Sequence, residues 1–346
     1  MSAPLRILTD AEFRRSLANP DTGYLLFGEE DYLKLHALDT ARQAILPDPS
    51  FAAFNEIRLD ALDCTPARLI DALTPLPVMA ERKLITVTGM DLASMRAPDV
   101  DRFCTLMASL PDYPHNCVVV VVPNEGMDVG YLPKRPSALL ARLAEVLTPV
   151  QYNRVSPQKL AGWAIKHFTH GGVAAAPEAA AFLIDYCGRD MFTLSAEIDK
   201  LCAYVLAHGR EAVTIDDIRE VACAGIEYDA FAFSNAIMEG RRADALAALA
   251  VLRHRRTDPI LLLGEVIRTW SEMLSVRLLT AEGKRPEEIA SITRLHGYRI
   301  GLYQRAASAI DDVRLRRAIA LCAEADAELK RSPQGYAAIE RLVCGL

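Results

Sequence analysis

Tyr24-Leu25-Leu26-Phe27-Gly28-Glu29-Glu30-Asp31-Tyr32-Leu33-Lys34 is the stretch on which the reading of this chain turns. Four apolar residues stopped by a glycine, then a helical stretch from Asp31 to about Leu46, read as a short buried strand feeding a helix through a tight turn. In an α/β domain that turn is where a phosphate-binding loop would lie. Such a loop needs Gly-x-x-x-x-Gly-Lys-Ser/Thr: glycines that let backbone amides cradle phosphates, a lysine for the outer phosphates, and a hydroxyl for magnesium. Here the second glycine and the hydroxyl are missing, and the carboxylates of Glu29, Glu30 and Asp31 stand where a triphosphate would lie. Like charges about 4 Å apart repel by roughly 1 kcal/mol in water and about 4 kcal/mol near a protein surface. A plainer role for the same residues is to complement the positive end of the adjoining helix. Either way the turn is expected to hold no nucleotide.

Outward from this turn the first part of the chain alternates strand and helix. Phe54 to Leu59 reads as a second strand, Lys83 to Val87 as a third and Cys117 to Val122 as a fourth. Thr65-Pro66 opens a helix, with Thr as cap and Pro at a position whose amide has no partner anyway. A helix from Ser137 to Leu147 leads into Val150-Gln151-Tyr152. Short, fully apolar strands separated by helices imply a mostly parallel sheet covered on both faces. From about residue 156 the strands disappear. Helices are predicted over 158–170, 177–186 and 191–207, with a short one after Thr214; Gly171-Gly172 ends the first. Longer amphipathic helices are predicted over 230–239, 243–253, 259–279, 286–295, 299–310, 314–329 and 336–344. The expected division is an α/β domain over 1–152, a small helical domain over 153–226 and an all-helical domain over 227–346.

Composition narrows the function classes. A chain of 346 residues is too long for one core. Its net charge of −6 repels phosphates in bulk, so any nucleic-acid contact must be a local patch. The eight cysteines form no Cys-x-x-Cys pair, which speaks against a zinc ribbon or a redox dithiol. Met1-Ser2-Ala3-Pro4-Leu5-Arg6 lacks the apolar run of a signal peptide, and Cys117 to Val122 is far too short to span a bilayer. A cytoplasmic protein without membrane contact, metal or cofactor is expected.

An α/β domain, a small helical domain and a helical C-terminal domain in this order suggest AAA+ (RecA-like) architecture. Local wording sharpens the likeness. Residues 24–33 resemble the opening strand and turn of the delta-subunit family of the bacterial DNA polymerase III clamp loader. Leu76-Pro77-Val78-Met79-Ala80-Glu81-Arg82-Lys83-Leu84 resembles its clamp-contact segment, and Asn235 to Gly240 with Asp258 to Leu262 the start of its collar domain. Ala325 to Lys330 followed by Ile339-Glu340-Arg341-Leu342 resembles its closing signature. The resemblance implies a subunit with no ATPase activity of its own, a component of the DNA-directed DNA polymerase III holoenzyme. Its implied partners are the beta sliding clamp, the ATPase and delta-prime subunits, and primed DNA. It would bind and open the clamp for loading onto DNA. It implies clamp contact through Leu76, Val78 and Met79, with Leu73 beside them; Val78 and Met79 stand where some relatives carry bulkier or aromatic side chains. The competing reading of this Pro-flanked segment is a plug for the helix-to-strand joint.

Two rival functions stand beside this one: a divergent AAA+ ATPase, and a helical scaffold with no role in replication. Against the first, Thr88-Gly89-Met90-Asp91 offers a lone Asp where a catalytic strand end needs an acidic pair, and Pro123-Asn124-Glu125 is no better. The Ser-Arg-Cys arginine-finger motif of other clamp-loader subunits is also absent, which speaks against the delta-prime subunit. Among the other residues, His167 and His170 stand three apart and suit either a metal or a solvated helix end. Arg253-His254-Arg255-Arg256 and Arg314 to Arg317 either complement helix ends or face DNA, Arg316 and Arg317 being the candidates. Tyr336 would stack on a base or pack in the collar.

Overall fold

The apolar run Gly23–Phe27 forms strand β1, buried at every position. It stands with β2 (Glu56–Asp60), β3 (Lys83–Thr88), β4 (Asn116–Val121) and β5 (Thr148–Gln151) in one parallel sheet of order β2-β3-β4-β1-β5. The computed structural model describes residues 5–132, 134–295, 297–308, 310–331 and 335–346; Met1 to Pro4 of the N-terminal stretch lie outside the described residues. Successive side chains of a strand point to opposite faces, so β1 serves two cores. Leu25 and Phe27 join Ile85, Val87, Val118 and Val120 on one face. Tyr24 and Leu26 join Leu84, Cys117, Val119 and Val121 on the other.

Helices α1 (Asp10–Ser16), α2 (Asp31–Ile45) and α3 (Pro49–Asn55) cover the second of these faces through Phe13, Ala37, Ala41 and Ala52. Helices α4 (Pro66–Leu73), α5 (Ala97–Ala108) and α6 (Ala138–Leu143) cover the first through Leu69, Phe103, Met107 and Leu140. The outer edge of β5 is taken by Leu8, whose amide donates to the Pro149 carbonyl while its carbonyl accepts from Gln151. Two local expectations are corrected. Phe54 and Asn55 belong to helix α3, not to a strand, because Asp48 accepts from the Ser50 amide and Pro49 begins a helical turn. Helix α6 ends at Leu143, where the Glu145 and Val146 amides bond three residues back and tighten the chain into β5. Helices α1 and α5 add to the elements read from the sequence.

The chain leaves β1 for the far edge at β2, works back through β3 and β4, and ends beyond β1 at β5. The direction of winding therefore reverses at β1. In such sheets the crevice at the carboxyl ends of the strands beside the reversal is the ordinary ligand site. Gly28 and the residues after it occupy that place.

By compactness the chain forms two units, residues 1–159 and 160–346. The second contains most of α7 (Pro157–His170) and all of α8 (Pro177–Cys187), α9 (Met191–Ala207), α10 (Ile215–Val221), α11 (Ile226–Met238), α12 (Arg242–His254), α13 (Pro259–Ala281), α14 (Pro286–Thr293), α15 (Gly297–Ser308), α16 (Asp312–Leu329) and α17 (Gly335–Gly345). Asp190, Thr214, Asp258 and Asp311 cap α9, α10, α13 and α16 and set where these helices begin; α16 starts at Asp312, two residues ahead of the expected position. Among the described residues no helix is long and apolar enough to cross a membrane. Helices α11 to α17 share a core around Phe233, Trp270, Tyr303 and Ile339. Inside it lies one polar knot. The Tyr303 hydroxyl accepts from Arg299 Nε at 2.9 Å and donates to Glu272 at 2.9 Å, and the Arg299 guanidinium lies 4.9 Å over the Phe231 ring. Tyr303→Phe removes a buried link that both charged partners use. The expected loss is about 1–2 kcal/mol in urea unfolding, and an unchanged midpoint with unchanged slope would contradict the assigned role.

Candidate functional site

At the crevice beside β1, a closed turn takes the place of a phosphate cradle. Gly28 has φ +117, and a Cβ there would lie 2.4 Å from the Tyr152 carbonyl oxygen, so only glycine fits. The backbone after β5 crosses directly over the turn. The Tyr152 amide donates to the Phe27 carbonyl, and the Tyr152 carbonyl accepts from the Glu30 amide at 3.1 Å. One of the first amides of α2 is thus already bonded. Glu29 is tied as well, its carboxylate accepting from the Arg154 amide at 3.1 Å.

Below the turn sits Lys34, with no exposed surface. It stands six residues after Gly28, the spacing at which a phosphate-binding loop carries its lysine. Its Nζ donates to the Gly28 carbonyl at 2.7 Å and the Val122 carbonyl at 2.6 Å, and lies 2.7 Å from the Asp31 carboxylate. Burial pulls the Lys34 ammonium below the usual lysine range, and Asp31 opposes that shift. Asp31 also accepts from the Asn124 amide at 3.1 Å. These bonds, rather than side-chain capping of α2, occupy Glu29 and Asp31; Glu30 is the N-cap residue but makes no side-chain capping bond. Of the two strand ends weighed for catalysis, Asp91 accepts from the Ser94 amide and Asn124 is the Asp31 partner just described. Chemically the turn is self-satisfied, with its lysine spent on main-chain carbonyls.

The second feature lies at the opposite edge of the same sheet. Helix α4 starts on Thr65 and Pro66 and runs back toward the amino ends of the strands. Its last carbonyls meet two buried polar side chains. Lys83, first residue of β3, donates to the Ala72 and Pro75 carbonyls, each at 2.5 Å. Asn116, first residue of β4 and its register partner, donates to the Leu73 carbonyl at 2.9 Å. Helix ends leave carbonyls without intrahelical partners, and these two residues supply them. Burial lowers the Lys83 ammonium from its ordinary range. From the other side Asn55, fully buried at the end of α3, grips Val78: its Oδ1 accepts from the Val78 amide at 2.7 Å and its Nδ2 donates to the Val78 carbonyl at 2.8 Å.

Between these anchors three apolar side chains face water. Leu76 is 72% exposed, Val78 47% and Met79 80%. Met79 has φ +51, a left-handed conformation that costs a side-chain-bearing residue roughly 1–2 kcal/mol and persists only where its surroundings enforce it. Leu73 differs from these three. It is fully buried in the core under the sheet and presents no surface, so it plugs the helix-to-strand joint while the residues after it do not. Sequence reading did not single out Asn55, Lys83 or Asn116. The signal was a polar residue at the head of an apolar strand, or at a helix end beside one.

The remaining candidates scatter. Arg316 and Arg317 are exposed on α16. Tyr336 lies in α17, not in a loop: its hydroxyl donates to the Thr257 carbonyl, its ring packs on the helical core, and Arg253 stands 5.6 Å over its face. Arg253 pairs with Glu340 and Arg255 with Asp229. His170 is exposed, whereas His167 meets Asp199 at 3.2 Å and Ser195 at 3.4 Å, both through Nε2. A catalytic relay requires the acid and the nucleophile on different ring nitrogens.

Comparison with known proteins agrees with the resemblance read in the sequence. Residues 227–344 match the family described as the DNA polymerase III delta subunit, C-terminal domain. The DNA polymerase III subunit delta of Bacillus subtilis (strain 168) is 24% identical over 317 residues, which is 89% of this chain and 87% of that protein. The solved structure of the Bacillus subtilis DNA clamp loader delta protein has the same fold, with a TM-score of 0.52 at 20% identity over 97% of this chain and 98% of that one. The likeness to delta subunits and the parallel α/β region followed by helices are thus borne out.

Gly28→Ala is expected to cost roughly 2–4 kcal/mol, from a disfavoured φ together with a clash against backbone. Urea unfolding of the full chain measures it. A loss below about 0.5 kcal/mol, the range of ordinary surface changes, would mean the turn is not closed by Tyr152 in solution.

Proposed function

We propose that this chain works as a clamp-loader delta subunit without ATPase activity of its own, and that Leu76, Val78 and Met79 are the tip by which it grips the beta sliding clamp. The observation that carries the reading is the pairing of three exposed apolar side chains with a mount of buried hydrogen bonds beneath them. Exposed apolar residues on a mobile loop lose affinity to ordering; on a fixed loop most of that cost is already met. Burying each such side chain contributes about 1.5–3 kcal/mol, so these few residues suffice to anchor an interface. Leu73 serves as the floor of the tip.

The closed turn supports the other half of the proposal. With Lys34 bonded to two carbonyls and Tyr152 over Gly28, ATP is bound and hydrolysed by partner subunits, and this chain transmits their state. It opens the clamp by binding the open or strained ring more tightly than the closed one, since only differential affinity shifts such an equilibrium. In this reading residues 1–152 bind the clamp, 153–226 form a lid-like domain, and 227–346 join the other loader subunits, delta-prime among them, in a collar. The protein acts in the cytoplasm on primed DNA. Arg316 and Arg317 are its candidate DNA contacts, and Tyr336 takes no part.

Leu76→Ala combined with Met79→Ala is expected to weaken binding of purified clamp by about a hundredfold, with the melting temperature of the subunit nearly unchanged. Full affinity in a folded double variant would reject the tip and leave the scaffold reading in its place. Titration of the full chain with ATP and magnesium is expected to give no binding heat. Micromolar binding that Lys34→Ala abolishes would restore the divergent ATPase.

A further inference from the structure

We propose that Asn55 is the positioning residue of the apolar tip: its side-chain amide holds the backbone of Val78 from both sides and keeps Leu76, Val78 and Met79 in a binding geometry before any partner arrives. The inference rests on the reading of that tip as the clamp contact and adds to it how the contact is made ready. The carboxamide of Asn55 presents an acceptor and a donor in one plane, the same pair that a neighbouring strand would offer. It spends the acceptor on the Val78 amide at 2.7 Å and the donor on the Val78 carbonyl at 2.8 Å, as a strand partner would. A third bond, from Nδ2 to the Phe51 carbonyl at 3.0 Å, fixes the amide plane to helix α3. Asn55 has no exposed surface, while Val78 is half exposed. The bonds are therefore shielded from water on one side and carry the exposed segment on the other.

Its place along the chain gives Asn55 this leverage. Met79, next after Val78, is held at φ +51, and the chain between Pro77 and Lys83 belongs to no helix or strand. Lys83 and Asn116 secure the carbonyls of residues 72, 73 and 75, upstream of the tip. Asn55 holds the segment at Val78, within the tip itself. Without it, Val78 and Met79 would sample other conformations, and the partner would have to order them on binding.

The test is a double-variant cycle on the full chain, read as affinity for the purified sliding clamp. Asn55→Ala should weaken binding about tenfold, the size of one to two lost hydrogen bonds. In the Leu76→Ala/Met79→Ala background the further loss should be clearly smaller, because only Val78 is then left for that geometry to present. Hydrogen exchange at the Val78 amide should accelerate in Asn55→Ala while the amides of strand β3 keep their protection. Asn55→Ser keeps one hydrogen-bonding group but is too short to hold both the amide and the carbonyl of Val78, and should fall between wild type and Asn55→Ala; it also serves if the alanine variant fails to fold. Unchanged affinity in Asn55→Ala, or an equal loss in both backgrounds, overturns the positioning role while leaving the tip intact. Unchanged affinity in Leu76→Ala/Met79→Ala instead rejects the tip itself.

Discussion

A buried ammonium joining the ends of two strands is the constraint on which the α/β unit depends. Lys34 reaches from helix α2 to the Gly28 carbonyl after β1 and the Val122 carbonyl after β4, with Asp31 as counter-charge. Those strands flank the reversal of the sheet, where the backbone splays and a ligand ordinarily enters. An uncompensated charge at that depth would be costly. Three oxygens around it make it a staple, and with Tyr152 closing over Gly28 the crevice becomes part of the structure.

The same device recurs at the other edge of the sheet. Lys83 and Asn116 stand side by side at the amino ends of β3 and β4 and satisfy the carbonyls left over at the end of α4. Asn55 does for an irregular segment what a neighbouring strand would do. Each of these residues is polar, buried and bonded to main chain, so each converts a loose end into a fixed one. The consequence differs by end of the strands: at the carboxyl ends the bonds close a crevice, and at the amino ends they hold an apolar segment out in solvent. The apolar tip is therefore mounted away from the crevice, on the strand ends that such sheets ordinarily leave to stability.

The helical unit obeys a different logic. Its elements are set by caps and amphipathic faces, so Asp190, Thr214, Asp258 and Asp311 announce helix starts that the fold then honours. Tertiary packing decides which charged residues remain available. Arg253 and Arg255 find Glu340 and Asp229, while Arg316 and Arg317 stay in water. Of the two roles open to Tyr336, stacking on a base or packing in the helical unit, the fold takes the second: Gly335 starts helix α17 and the ring packs inward.

By itself, the order of residues determined the parallel sheet, the succession of helices and a turn that lacks the second glycine and the hydroxyl of a phosphate loop. Those properties come from local patterns: apolar runs of strand length, caps two or three residues ahead of their targets, and a glycine without its partner. Phe54 and Asn55 escaped the pattern because an aromatic residue just ahead of the alternating Ile57-Arg58-Leu59 has the composition of a strand start even when it ends a helix. Only the tertiary structure decided that Leu73 is core while Leu76, Val78 and Met79 are surface, since burial depends on neighbours across space and not along the chain. It alone brought Lys34 to Val122 and Asn55 to Val78. Hydrogen bonds between residues 88 and 23 positions apart leave no periodic trace in the sequence that makes them.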